Sequence, residues 1–460
     1  MSYLSALIDR LRQFRSDGAR SAASPLRATS PRARLMALGF GLALLVGLEG
    51  VTRLVLGGPR SKLYAYVPSA TGTLTRTEAD KLVLLYREGG TANEIPLQGD
   101  GRRPRVVWLG GSSLRGGNPG MPLERETAQL VARSLGVESV NMGGPGLDSG
   151  HLLGLLDDVL SLSPDAVVIY TGHNDVGNET LMARYSGARF QWITRVRWLL
   201  RHSRLFTALE TAVRQRAVMR LPQPTMSPQY TVSALAKDDI HERYRQRIGA
   251  LMQGLRAAGV RVVIATPVSN PTLPWLEQSC PDAMAQLGLQ GRAAEAYPVH
   301  EISRQKVAEL LQQQDCSDLR WVLARLDQDR TALDELRDID PYPLRADRGQ
   351  IAVVRELATE YGAVLADSNA HFRELGGGIE HSGLFDNQIH LNETGHRVLA
   401  NVIARALAQA LGRQAPVPLQ IDLQPLDLAA CGDLPCRSEG PPRRKFPRQP
   451  QSGGQRGPHR

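Results

Sequence analysis

From Arg105 onwards, short runs of consecutive apolar residues alternate with longer stretches whose apolar positions recur at helical spacing. Val106 to Leu109 is such a run and stops at Gly110-Gly111-Ser112-Ser113, the pattern of a buried strand meeting a turn. Val137 to Met142, Asp165 to Tyr170, Val260 to Thr266 and Ala363 to Asp367 are further runs of strand length. Residues 122–135, Leu152 to Leu162, Ile240 to Ala258 and Ile351 to Tyr361 have the helical period, and Asn392 caps a last helix bearing Val398, Val402, Ala406, Leu407 and Ala410. Strands alternating with helices predict an α/β domain whose parallel sheet is covered on both faces.

The domain is expected over 104–415, with two inserts, at 178–235 and 270–345, interrupting the alternation. The first contains an Arg- and Trp-rich helix around Phe190 to Arg216, the second helices that carry Cys280 and Cys316. Inserts beyond strand ends either wall a substrate site or simply cover the sheet. Residues 58–103 are expected as a stalk with some short structure, and 416–460 as an extension that is disordered from about residue 437, where Pro, Gly, Gln and Arg replace apolar periodicity.

Leu35 to Leu56 is an apolar run interrupted by Glu49 and Arg53. Its length suits a bilayer core of ~30 Å, and the two charges, four residues apart, can pair on one helix face. A transmembrane anchor over 35–57 is expected in preference to a cleaved signal peptide, because a long leader precedes it and a good cleavage site is lacking. The seven Arg of residues 1–34 predict a cytoplasmic amino terminus and an exported body. Residues 3–15 place Leu4, Leu7, Ile8, Leu11 and Phe14 on one face, as a basic helix lying on the membrane or as a frayed tail.

The formal charge of +9 looks like a nucleic-acid signal until it is divided by region. Residues 1–34 and 437–460 hold the excess of Arg and Lys, and the body between them is slightly negative. Nucleic acid is therefore not an expected partner. Export makes disulfides possible for Cys280 with Cys316 and for Cys431 with Cys436; free buried thiols are the alternative. Neither pair has zinc-finger spacing, so no metal and no cofactor are expected.

Ser112 lies where a strand gives way to a turn, where its hydroxyl and its own N–H can act on a ligand at the sheet edge. Taken alone, Gly-Gly-Ser-Ser also fits an ordinary turn or a phosphate cradle, although not the dinucleotide fingerprint. Asn141-Met142-Gly143-Gly144-Pro145-Gly146 follows the second strand and offers unobstructed backbone N–H groups, or a plain turn. Asn174, in Gly172-His173-Asn174-Asp175, presents an uncharged amide donor after the third strand. His390 precedes the last helix with Asp386 four residues upstream, close enough to hold the imidazole tautomer. Ser113 is a lesser nucleophile candidate, and His173 and Asp175 are expected to position Asn174.

With these four blocks in this order, residues 105–411 resemble the SGNH hydrolase superfamily, also called the GDSL lipase/esterase family. The resemblance implies a five-stranded α/β/α sandwich of flavodoxin-like type. It also implies Ser112 as nucleophile, His390 as base, and an oxyanion hole formed by Ser112, Gly146 and Asn174. One departure stands out. The family's Asp three residues before the His is here Asn387, so either Asp386 serves through a one-residue bulge, which is the expectation, or Asn387 or a carbonyl orients the ring. The implied protein is a membrane-anchored serine esterase of the bacterial inner membrane with a periplasmic catalytic domain, acting on acyl esters such as O-acetyl groups of envelope polysaccharide. Acyl transfer by the same residues, and a non-catalytic carbohydrate- or partner-binding module, remain the alternatives.

Overall fold

The structure, a computed structural model, describes residues 31–55, 75–78, 80–84, 94–115, 122–178, 203, 205, 234–273, 280–289, 299–339, 345–426 and 428. The expected amphipathic segment 3–15, the helix at 190–216 apart from Ser203 and Leu205, Cys431, Cys436 and the tail from 437 lie outside the described residues.

The chain divides into two units, Met1–Gly58 with Ser203–Leu205, and the remainder. In the first, helix α1 (Pro31–Val55) covers the expected anchor. Among the described residues, however, no helix is long and apolar enough to cross a membrane. The expected anchor at 35–57 falls largely on this helix, whose apolar run is interrupted by Glu49 and Arg53. The Glu49 carboxylate accepts hydrogen bonds from Ser203 Oγ (2.8 Å) and the Leu205 N–H (2.9 Å).

In the second unit, β1 (Thr75–Glu78), β2 (Lys81–Leu84) and β3 (Glu94–Pro96) form an antiparallel sheet within the segment expected to be a stalk. Leu82, Leu84 and Ile95 are buried in the main core, so this segment packs as part of the unit. Arg105, itself buried, fastens it there: its guanidinium donates to the carbonyls of Pro96 (2.6 Å), Leu97 (2.7 Å) and Leu162 (3.0 Å). Thr75 Oγ1 adds a bond to Asp158 Oδ2 at 2.9 Å. Neither link is visible in apolar periodicity.

The main sheet comprises β4 (Arg105–Gly110), β5 (Glu138–Asn141), β6 (Ala166–Tyr170), β7 (Arg261–Ala265) and β8 (Val364–Ala366), all parallel, in the order β5-β4-β6-β7-β8. Successive residues of one strand feed opposite cores. Val107, Leu109, Val167, Ile169 and Ile264 enter one, and Val106, Trp108, Ala166, Val168, Tyr170 and Val263 the other. A sheet apolar on both faces needs a helical layer on each. The first core is closed by α3 (Ser149–Gly154), α4 (Leu156–Ser161), α5 (Ala234–Ala257) and α10 (Arg348–Glu360); the second by α2 (Thr127–Leu135) and α12 (Glu393–Ala410). The expected three-layer α/β/α domain with its five-stranded parallel sheet is therefore observed. The helix expected at Leu152 to Leu162 divides into α3 and α4, with Leu155 between them.

The second insert folds around its own apolar cluster. Helices α6 (Pro281–Gln286), α7 (Arg304–Gln313), α8 (Ser317–Leu326) and α9 (Arg330–Asp338) bury Met284, Val307, Leu310, Leu319, Trp321 and Leu333. Cys280 and Cys316 are joined in a disulfide, which closes a loop of 36 residues and stabilises by about 3–4 kcal/mol through the unfolded state. Helix α11 (Ser368–Leu375) follows β8. After α12 the chain passes back over the body, with Leu419, Ile421 and Leu423 against the second core and Leu428 in the insert's cluster. The Leu428 carbonyl accepts from Arg325 Nε at 2.8 Å. The last stretch before the tail is thus anchored at both ends by packing.

Candidate active site

In a parallel sheet of this order, ligands sit at the carboxyl ends of the strands where the connections diverge, here between β4 and β6. Ser112 leaves the end of β4 and Asn174 the end of β6. A tight turn follows β4, in which the Leu114 N–H donates to the Gly111 carbonyl (3.3 Å) and the Arg115 N–H to the Ser112 carbonyl (3.0 Å). Gly111 is required by close approach: a Cβ there would stand 2.7 Å from Asn174 Nδ2. The glycine seen in sequence before the serine therefore serves to bring the Asn174 amide against the turn.

The segment after β5 continues along β4. The Met142 N–H donates to the Trp108 carbonyl (2.9 Å) and the Gly144 N–H to the Gly110 carbonyl (3.2 Å), which carries Gly146 towards the same edge. Gly146 has φ +69°, a left-handed conformation costly for any residue with a Cβ. Asn178 Nδ2 holds this loop, donating to the Gly146 carbonyl (2.9 Å) and Asp148 Oδ2 (2.8 Å). Asn174 Nδ2 donates to the Leu147 carbonyl at 2.8 Å, and an amide nitrogen has a second hydrogen to give. Sequence reasoning missed Asn178 and Asp148. The capping box in which Asp148 and His151 bond reciprocally at the start of α3 was the signal that could have found the latter.

His390 arrives from a loop closed like a hairpin. Phe385 and Leu391 form an antiparallel bridge, and the Asp386 N–H donates to the His390 carbonyl at 2.8 Å. Within it, Asn387 Oδ1 accepts from the backbone N–H groups of Ile389 (3.0 Å) and His390 (2.9 Å). Such side-chain-to-backbone bonding two and three residues ahead is the Asx-turn habit of asparagine. It swings the amide beneath the ring, with Oδ1 3.1 Å and Nδ2 2.9 Å from His390 Nδ1. The expectation that Asp386 holds the imidazole is therefore corrected. No bulge forms, and the bridge directs position 387 to Nδ1.

Across these segments, His390 Nε2 lies 2.9 Å from Ser112 Oγ. Ser112 and His390 are each only partly buried, whereas Ser113 is buried at 2% exposure, which leaves Ser112 as the accessible hydroxyl. Burial holds the His390 imidazole below its ordinary value, so near neutral pH the ring is uncharged and its Nε2 can take a proton. His173 is also kept neutral, pushed down to about 3 by burial and then by the neighbouring His390 and Arg337 charges. Its Nδ1 accepts from the Ala346 N–H at 3.2 Å, which fixes the segment after β6. Asp175 accepts hydrogen bonds from the N–H and hydroxyl of Ser149. Burial first, then the Asp148 charge, raises its carboxyl above the usual range. Both residues position the loop that carries Asn174, as expected from their place in the motif.

The arrangement can deprotonate a serine and receive a developing oxyanion on the Ser112 and Gly146 N–H groups and the Asn174 amide. Asn174→Ala is expected to lower kcat about 10²-fold with little change in KM, because a fixed donor acts mainly in the transition state; steady-state kinetics on an ester checks it. Among the described residues, metal-ligating atoms gather at Cys280, Cys316 and Asp318, where both sulfurs are already used in the disulfide.

Residues 109–300 match the model of the GDSL-like Lipase/Acylhydrolase family. No curated protein matches the chain. Among solved structures, it is similar to LAE5, an alpha/beta hydrolase enzyme from the metagenome of Lake Arreo, Spain, at 16% identity over 67% of this chain and 95% of that one, TM-score 0.32. Another is the acetyl xylan esterase AlAXEase, at 16% identity, 66% and 99% coverage and TM-score 0.33. A third is the lipase/acylhydrolase from Enterococcus faecalis, at 14%, 69% and 99% coverage and TM-score 0.32.

Proposed function

We propose that this chain is a serine esterase of the GDSL-like lipase/acylhydrolase kind, with Ser112 as nucleophile and His390 as general base. One observation carries the reading: a hydroxyl and an imidazole 278 positions apart in sequence lie 2.9 Å from each other, at the strand edge where this sheet order binds ligands. The family match over 109–300 supports the same chemistry.

In the proposed reaction, Ser112 Oγ attacks the ester carbonyl carbon as His390 Nε2 takes the hydroxyl proton. The resulting oxyanion accepts hydrogen bonds from the Ser112 and Gly146 N–H groups and from Asn174 Nδ2. The tetrahedral intermediate collapses, breaking the carbonyl–alkoxide bond, and His390 returns the proton to the departing alcohol. Water then attacks the acyl-serine, losing a proton to His390, which passes it to Ser112 Oγ as the serine–acyl bond breaks and the carboxylic acid leaves. Asn387 supplies orientation through Nδ1 in place of a carboxylate. The Cys280–Cys316 disulfide supports an oxidising, exported location, which belongs to the same proposal.

The test is covalent capture. Incubation of the full-length protein with a fluorophosphonate probe, followed by peptide mapping, is expected to place the label on Ser112 and nowhere else. A chain that hydrolyses no ester and remains unlabelled is a binding module, and the proposal falls.

A further inference from the structure

We infer that Arg115 is a specificity-determining residue, which selects esters carrying an anionic group near the scissile bond; this rests on the esterase reading above. Arg115 stands three residues beyond Ser112 in the same turn, its N–H bonded to the Ser112 carbonyl at 3.0 Å. A turn keeps such Cα atoms within about 7 Å of each other, which leaves a group bound at Ser112 within reach of the guanidinium.

Its side chain is part-buried, and among the described residues it has no ion-pair or hydrogen-bond partner. Two other arginines differ in that respect. Arg125 and Arg397 both pair with Glu393, three residues past His390, and share one carboxylate between them. At Nδ1 of His390, where the family pattern puts a carboxylate, the partner is the neutral amide of Asn387. Asp386 is the acid that this loop retains. An unpaired guanidinium recognises carboxylate or another planar oxyanion by paired N–H donors. The chemical class implied is an ester whose alcohol portion bears a carboxylate, as an acidic sugar does.

The experiment compares 4-nitrophenyl acetate with 3-carboxy-4-nitrophenyl acetate on the full-length protein, with each kcat/KM divided by that ester's hydroxide-catalysed rate. The wild type is expected to favour the carboxylated ester by about five- to tenfold at low salt, and by less at 0.5 M salt as screening shortens the interaction. Arg115→Ala brings the ratio to about one, Arg115→Lys keeps part of it and Arg115→Glu inverts it. Loss of folding would scale both rates together and leave the ratio where it was, so the ratio reads recognition alone. A wild-type ratio at or below one, or a ratio untouched by Arg115→Ala and Arg115→Glu, overturns the inference while the esterase reading stands. Failure to cleave either ester, with Ser112 unlabelled, removes both.

Discussion

Replacing Ser112 with alanine is expected to lower kcat by about 10⁴-fold or more while leaving the fold intact. The loss is large because nucleophile and base act as one unit: without Oγ, no proton reaches His390 Nε2 and no acyl-enzyme forms. The remaining rate over water comes from the Gly146 and Asn174 donors, which do not need the hydroxyl. The fold tolerates the change because Ser112 Oγ faces His390 across an open edge and the turn is built from backbone bonds at Gly111 and Ser112. Steady-state kinetics together with thermal unfolding decide the matter. Retention of most of the wild-type kcat in a well-folded Ser112→Ala protein refutes the assignment of the nucleophile.

The second large effect runs in the opposite direction. Asn387→Asp is expected to raise kcat by about tenfold or more. In the present site the amide can serve His390 Nδ1 in two ways, since Oδ1 at 3.1 Å can accept a hydrogen bond from it and Nδ2 at 2.9 Å can donate one to it. The first leaves the Nε2 lone pair facing Ser112; the second puts the proton on Nε2, where it blocks proton transfer. A carboxylate only accepts, so it enforces the productive tautomer and stabilises the imidazolium as it forms. The gain is smaller than the ~10⁴-fold known for a triad acid against its amide, because the two backbone bonds at Ile389 and His390 already hold position 387 in place.

The pH profile gives the same substitution a second reading. Burial keeps the His390 imidazole below 6.5, and the neutral ring is the active form. Wild-type kcat/KM should therefore be flat above that value and fall as pH drops through the lowered pKa. A carboxylate at 387 favours the charged ring, so the acidic limb of Asn387→Asp should move to higher pH even as the plateau rises. A limb that stays where it was, with no gain in rate, would mean that position 387 does not act through the imidazole.

Much of this site was legible in the chain. Ser112, Gly146, Asn174 and His390 each follow a run of strand length or precede a capped helix, and such positions fall on one sheet edge whenever the sheet is parallel. The orienting group was not legible. Choosing Asp386 relied on the chemistry of a carboxylate near an imidazole. The Phe385–Leu391 bridge, which decides which of two adjacent side chains turns towards Nδ1, is a hydrogen-bond pairing with no hydrophobic signature. The docking of the segment at 75–96 was not legible for a related reason: its strands are three or four residues long, too short to declare a period, and their docking depends on the buried Arg105 guanidinium.

The sequence by itself determined the α/β class, the number and order of the main strands and the candidate reacting side chains, because apolar runs and turn residues act locally and leave their mark in the chain. Only the tertiary structure decided that Asn387 instead of Asp386 meets the imidazole, that Asn178 and Asp148 hold the Gly146 loop, that Cys280 pairs with Cys316, and that Arg115 follows Ser112 in one turn without a side-chain partner among the described residues. These are contacts between segments up to hundreds of residues apart, or choices between neighbours within a loop. Both are settled by backbone direction and hydrogen-bond satisfaction, which composition and periodicity do not encode.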